Sequence, residues 1–119
     1  MRIITTHLSA DFDAFAAAVC AVRLFPGSKI LFPGSQEAAV RRFLTESGLK
    51  YPDTKLRVAR SSTIELAVVV DTRSPSRIGE VSDLLQRDGC PVNVIDHHLE
   101  EDEDDIAAED VFERPVGAT

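Results

Sequence analysis

The chain has 119 residues, 44% of them hydrophobic, enough for one packed core and too few for two ordinary domains. Thirteen Lys and Arg against twenty Asp and Glu leave a net charge of −7, which argues against a broad basic surface for nucleic acid. No apolar run is long enough to span a bilayer: the longest, Ala14 to Val22, is closed by Arg23 and Pro26.

The start, Met1-Arg2-Ile3-Ile4, enters a strand pattern without a signal-peptide layout. A cytoplasmic protein with no membrane partner is expected. Cys20 and Cys90 lack CxxC or His-paired spacing and are expected as two buried, reduced thiols. The acidity does not exclude a phosphorylated substrate, because bound cations invert the local field. Part of it is concentrated in Glu100 to Asp105, which reads as a solvated loop because it lacks the glycine-containing pattern of a calcium-binding loop.

In chain order, Arg2 to Thr6 is β-rich and leads into His7. Asp11 to Phe25 is apolar almost all round, as a helix packed on a sheet would be. Ser9 or Asp11 can cap it, and Pro26-Gly27 stops it. Lys29 to Phe32 is a short strand broken by Pro33-Gly34. The spacing then predicts a helix over Gln36 to Ser47, capped by Ser35, with Ala39, Val40, Phe43 and Leu44 inward and Gly48 as terminator. Lys55 to Ala59 alternates like an edge strand. Leu66-Ala67-Val68-Val69-Val70 is a continuous apolar run ending in Asp71, as a strand buried on both faces would be. Ser76 to Asp88 reads as one helix with Ile78, Val81, Leu84 and Leu85 inward. Val92 to Ile95 is a further buried strand ending in Asp96-His97-His98, and Ile106 to Phe112 is a candidate last strand. This β-α-β order predicts an α/β fold: an open, mainly parallel, Rossmann-like sheet with helices on both faces.

Three separate strands thus end in His7, Asp71 and Asp96-His97-His98. In open α/β sheets, ligands bind beyond the carboxyl ends of the strands. Each residue has a plainer role available. Asp11 can simply cap a helix, Asp71 can start the turn Asp71-Thr72-Arg73-Ser74-Pro75, and His97 and His98 can be surface histidines. Together, however, His7, Asp11, Asp13, Asp71 and His97 offer two imidazoles and three carboxylates, more than one tetrahedral zinc needs. Mixed ligation of this kind suits Mn²⁺, Co²⁺, Fe²⁺ or Mg²⁺. Two such cations, about 3.5–4 Å apart in two-metal hydrolases, would neutralise a phosphoryl group in transfer.

The segments His7-Leu8-Ser9-Ala10-Asp11-Phe12-Asp13-Ala14, Val69-Val70-Asp71-Thr72 and Val94-Ile95-Asp96-His97-His98 resemble, in order and spacing, the motifs of the DHH phosphoesterases. That family includes RecJ-type exonucleases, oligoribonucleases, cyclic-dinucleotide phosphodiesterases and manganese-dependent pyrophosphatases. The resemblance implies two divalent cations, Mn²⁺ foremost and Mg²⁺ or Co²⁺ as alternatives. It assigns His7 and Asp11 to one metal, Asp13 and His97 to the other, and Asp71 to a bridge. Asp96 would orient a ligand, and His98 would lie near the substrate phosphate. Arg73 and Arg77 are weaker candidates for holding that phosphate. Asp11-Phe12-Asp13-Ala14, Phe32-Pro33-Gly34-Ser35-Gln36-Glu37 and Arg77-Ile78-Gly79 further resemble a subgroup. In it, a DHH module precedes paired CBS domains and a tRNA nucleotidyltransferase (poly(A)-polymerase-like) domain.

No candidate for the family's fourth metal motif occurs in the matched order before Thr119. The chain therefore reads as the N-terminal part, residues 1–119, of a longer phosphoesterase domain, weak or inactive alone. The implied partner is a phosphorylated small molecule or an oligonucleotide. A non-catalytic nucleotide-binding regulatory module is the alternative. Oligomeric state is left open.

Overall fold

The computed structural model describes residues 1–96 and, as backbone, 110–113. Five strands form one sheet: β1 (Arg2–Thr5), β2 (Ser28–Leu31), β3 (Leu66–Val70), β4 (Val92–Asp96) and β5 (Asp110–Glu113). Every pairing is parallel and the order is β2-β1-β3-β4-β5. Helices α1 (Phe12–Leu24), α2 (Ala38–Ser47), α3 (Leu56–Arg60) and α4 (Val81–Asp88) make the crossovers.

Alternation along the strands divides the core into two layers. Ile4, Val68, Val70 and Ile30 meet Ala17, Ala18 and Ala21 of α1 on one face. Ile3, Ala67, Val69, Val92 and Val94 meet Ala59 of α3 and Val81, Leu84 and Leu85 of α4 on the other. Both faces of the sheet are covered, as the near-continuous apolar strands require. The alanines let α1 lie close to the sheet. Phe15, also buried, stacks on Phe32 at 6.4 Å and meets Tyr51 edge-to-face at 5.4 Å.

Four expectations change. Lys55 to Ala59 is not an edge strand: residues 56–60 form α3, with Ala59 buried and Leu56 against the core. Five residues satisfy either period. The helix wins because it sets Leu56 and Ala59, three apart, on the sheet face, the first half-buried and the second buried. The edge beside β2 is met two residues earlier, where Ile30 N–H donates to Pro52 O and Thr54 N–H to Ile30 O, each at 2.9 Å.

The helix expected over Ser76 to Asp88 is two pieces, a 3-10 turn at Pro75–Ile78 and α4, parted at Gly79 with φ +59° and ψ −136°. Helix α2 starts at Ala38, with Glu37 and not Ser35 at its N-cap position and no side-chain cap. Of its expected inward face, Val40 is buried and Leu44 half-buried, while Ala39 and Phe43 are exposed. Cys20 is exposed and Cys90 half-buried, and both are free. Of the last predicted strand, residues 106–109 lie outside the described residues, as does the acidic block. Among the described residues no helix is long and apolar enough to cross a membrane.

Candidate metal centre

The crossover that leaves β1 runs through α1 to β2, and the one that leaves β3 runs through α4 to β4 on the opposite side of the central pair. Their carboxyl ends therefore flank the switch point, where a crevice opens in this class of fold. His7 follows β1 and Asp71 follows β3. His7 Nε2 lies 3.3 Å from Asp71 Oδ2 and 4.0 Å from Asp11 Oδ1. One ligand atom from each of His7, Asp11 and Asp71 lies within 4.8 Å of the others.

Local backbone accounts for this convergence. Ser9 and Asp71 are the non-glycine residues with positive φ among the described residues, at +57° and +64°. Side chains rarely adopt that conformation, though Asp tolerates it better than most. At Asp71 it reverses the chain immediately after β3, while Asp71 N–H still donates to Ile95 O at 2.8 Å. At Ser9 it lets the chain after His7 fold back, so that Asp11 returns to the imidazole. Asp11 Oδ1 also accepts from Ala14 N–H at 2.9 Å, so this carboxylate caps α1 as well.

The imidazole is oriented from its other side. His7 Nδ1 is 2.7 Å from Leu8 O. A carbonyl only accepts, so Nδ1 carries the proton and Nε2 is left to face the carboxylates. The hydrogen bond to Asp71 holds the His7 pKa above 6.5; burial opposes it, the Leu8 carbonyl adds to it, and the positive charge of Arg77 opposes it. A buried imidazole between two carboxylates with its far nitrogen anchored on a carbonyl is a donor set for a hard or borderline divalent cation. The residues present fit one.

The other expected residues are placed as follows. Asp13 is exposed in the first turn of α1, outside the three-residue group. Asp96 is buried at the end of β4, on the same sheet edge. Arg77 is exposed, but its carbonyl accepts from Leu8 N–H at 2.6 Å and its charge is felt at His7. Arg73 is half-buried in the turn after Asp71, where Thr72 Oγ1 accepts from Ser74 N–H at 3.3 Å. His97 and His98 lie outside the described residues.

Residue-type reasoning missed the role of Leu8. A Cβ on Gly34 would stand 3.2 Å from Leu8 Cδ2, and one on Gly79 would meet Leu8 Cδ2 at 3.4 Å and Pro33 Cβ at 3.7 Å. Leu8 thus wedges the loop that carries His7 between the Pro33-Gly34 turn and Gly79. The signal was the pair of glycines themselves, quoted above for their pattern alone.

Residues 2–119 match the N-terminal domain of the DHH family. The chain belongs to that family. It is 42% identical over 99 residues to an A-adding tRNA nucleotidyltransferase of Geobacter sulfurreducens, a match covering 82% of this chain and 11% of that protein. The match thus takes in about a tenth of that relative's length. The fold is also that of an exopolyphosphatase-related protein from Bacteroides fragilis, with TM-score 0.69 and 17% identity over 96% of this chain and 34% of the other.

Proposed function

We propose that this chain is the N-terminal, metal-holding part of a longer phosphoesterase domain that hydrolyses phosphodiester or phosphomonoester bonds in nucleotides or oligonucleotides. The observation that carries the reading is the meeting of His7, Asp11 and Asp71 at the switch point of a parallel sheet. His7, Asp11 and Asp71 would hold one divalent cation, and by the family resemblance Asp13 and His97 would serve a second. Mn²⁺ is the leading candidate, with Mg²⁺ or Co²⁺ as alternatives. Bound there, such cations supply positive charge and Lewis acidity to a phosphoryl group.

The chain's own residues do the rest. The Leu8 carbonyl fixes the His7 tautomer, and the left-handed turn at Asp71 aims its carboxylate across the crevice. By the family resemblance, buried Asp96 would orient a metal ligand and His98 would serve the substrate phosphate. Arg77, whose charge already reaches His7, attracts that phosphate, with Arg73 as the weaker candidate.

A second reading, a nucleotide-binding regulatory module without turnover, draws support from the A-adding tRNA nucleotidyltransferase relative, whose name describes a different chemistry. Calorimetric titration with Mn²⁺ and an assay of oligonucleotide hydrolysis by the full-length protein separate the two. Metal binding with hydrolysis, both lost in Asp71→Asn, supports the phosphoesterase. Metal binding without hydrolysis leaves the regulatory module, and an Asp71→Asn protein that keeps both removes Asp71 from the site.

A further inference from the structure

Two threonines, Thr5 at the end of β1 and Thr6 just after it, lead into His7. Both are fully buried. The Thr6 hydroxyl donates to the His7 carbonyl at 3.0 Å. The Thr5 hydroxyl, with 0% of the residue exposed, meets no hydrogen-bond partner among the described residues. A buried hydroxyl left unsatisfied destabilises a fold, and nearly all such groups are satisfied by protein or by ordered water.

Strand register fixes where this hydroxyl stands. Thr5 pairs with Leu31 of β2 and Val69 of β3, and Val69 pairs with Val94 of β4. Leu31, Val69 and Val94 all belong to the core layer covered by α3 and α4. Residues in register share a face, so Thr5 completes the last row of that layer. The other three members of the row are apolar, and valine has the shape of threonine, so packing makes no use of the oxygen. One strand period further on come His7 after β1 and buried Asp96 at the end of β4. Asp71 reaches the same level, its Oδ2 lying 3.3 Å from His7 Nε2. Thr5 thus stands in the row next below the candidate metal centre.

We propose that Thr5 is a positioning residue of the cation centre: its hydroxyl holds one ordered water that donates to the Asp71 carboxylate and fixes that ligand's orientation. The inference rests on the metal-holding reading and adds to it a residue outside the ligand set. Two residues of a parallel strand span about 6.6 Å, and two hydrogen bonds through one water reach about 5.6 Å. The Thr5 hydroxyl donates to the water oxygen, and the water donates onward to the carboxylate. A carboxylate offers about four lone-pair positions, so Asp71 accepts this bond in addition to its contact with His7. Hydrogen bonds from outside the ligand set orient ligating carboxylates and tune their hold on the metal.

The test uses the full-length protein, unmodified and as Thr5→Val and Thr5→Ser. Mn²⁺ affinity is measured by calorimetry, and amide exchange at β1 is followed in the metal-free form. Thr5→Val should weaken Mn²⁺ binding about 10- to 100-fold. Its β1 amides should exchange no faster than before, because the hydroxyl it removes bonds to no protein group. Thr5→Ser keeps the hydroxyl and should keep most of the affinity. Thr5→Ala also lacks the hydroxyl and serves if Thr5→Val fails to fold. Unchanged Mn²⁺ affinity without the hydroxyl overturns the proposal and leaves the metal centre standing. Equal weakening in Thr5→Val and Thr5→Ser, or faster β1 exchange in Thr5→Val, makes Thr5 a packing residue and overturns it as well. Failure of the unmodified protein to bind Mn²⁺ overturns the metal centre itself.

Discussion

Helix α1 buries Ala14, Phe15, Ala17, Ala18 and Ala21, whereas α2, beside it, buries Val40 alone. Both border the candidate metal centre, and they are held in different ways. The first is pressed on the sheet by a stripe of small residues and begins at a side-chain cap from Asp11. The second hangs on a hydrogen bond to Ala10 and a ring contact to Phe12. Asp11, a proposed cation ligand, thus sits at the start of the more deeply buried helix. The weakly anchored element carries an exposed aromatic ring, Phe43, and none of the three converging residues. Local stability in a domain is commonly graded this way.

The contrast is sharpest at Ala18, which has no exposed surface. Ala18→Leu should cost about 1–3 kcal/mol or more by overpacking α1 on the sheet, read as a lower urea midpoint. An unchanged midpoint would mean that α1 is not the tight element. Val40→Ala should cost less, about 1–2 kcal/mol for the lost burial. Its distinguishing sign is faster amide exchange confined to α2. Exchange that accelerates equally in α1 would join the two helices into one cooperative unit.

Asp11 separates stability from metal binding at one position. Asp11→Ala removes the cap and should cost about 1 kcal/mol, while Asp11→Asn retains a capping oxygen and should cost only a few tenths. Both should weaken Mn²⁺ binding. If Asn binds Mn²⁺ as Asp does, Asp11 is a cap and nothing more.

The smallest effect is one of pH. The His7 pKa is raised, mainly by Asp71. In the metal-free protein the pair's contribution is therefore present below the unfolded value of 6.5 and is lost as pH rises through the higher folded value. A cation competes with that proton for Nε2. Mn²⁺ affinity should thus rise with pH until His7 is deprotonated and then level off; a flat profile across neutral pH would take His7 out of the ligand set.

Strand positions were readable because a strand buried on both faces must be apolar throughout, as Leu66 to Val70 is. Helix α1 was readable for the same reason. Lys55 to Ala59 was misread because five residues fit two periods, and burial under the sheet decided between them. The Ser76 to Asp88 helix was overextended because its apolar spacing runs through Gly79, and spacing is silent about φ. At the site, the types and order of His7, Asp11 and Asp71 and their common sheet edge were legible, but the close approach of their ligand atoms was not. It depends on left-handed turns at Ser9 and Asp71, residues whose identity permits that conformation without requiring it.

Apolar period and the order of strand-end His and Asp residues, local properties of the chain, were enough to specify a parallel α/β domain, and the resemblance of three motifs pointed to the DHH family. Tertiary structure decided which strands became neighbours, and so which residues share the crevice. Strand order β2-β1-β3-β4-β5 brings His7 beside Asp71, although they lie 64 positions apart. It also leaves Phe12 and Phe43 facing each other at the surface. Neighbours so distant in sequence are chosen by how crossovers cover both faces of a sheet, and no window of residues records that choice.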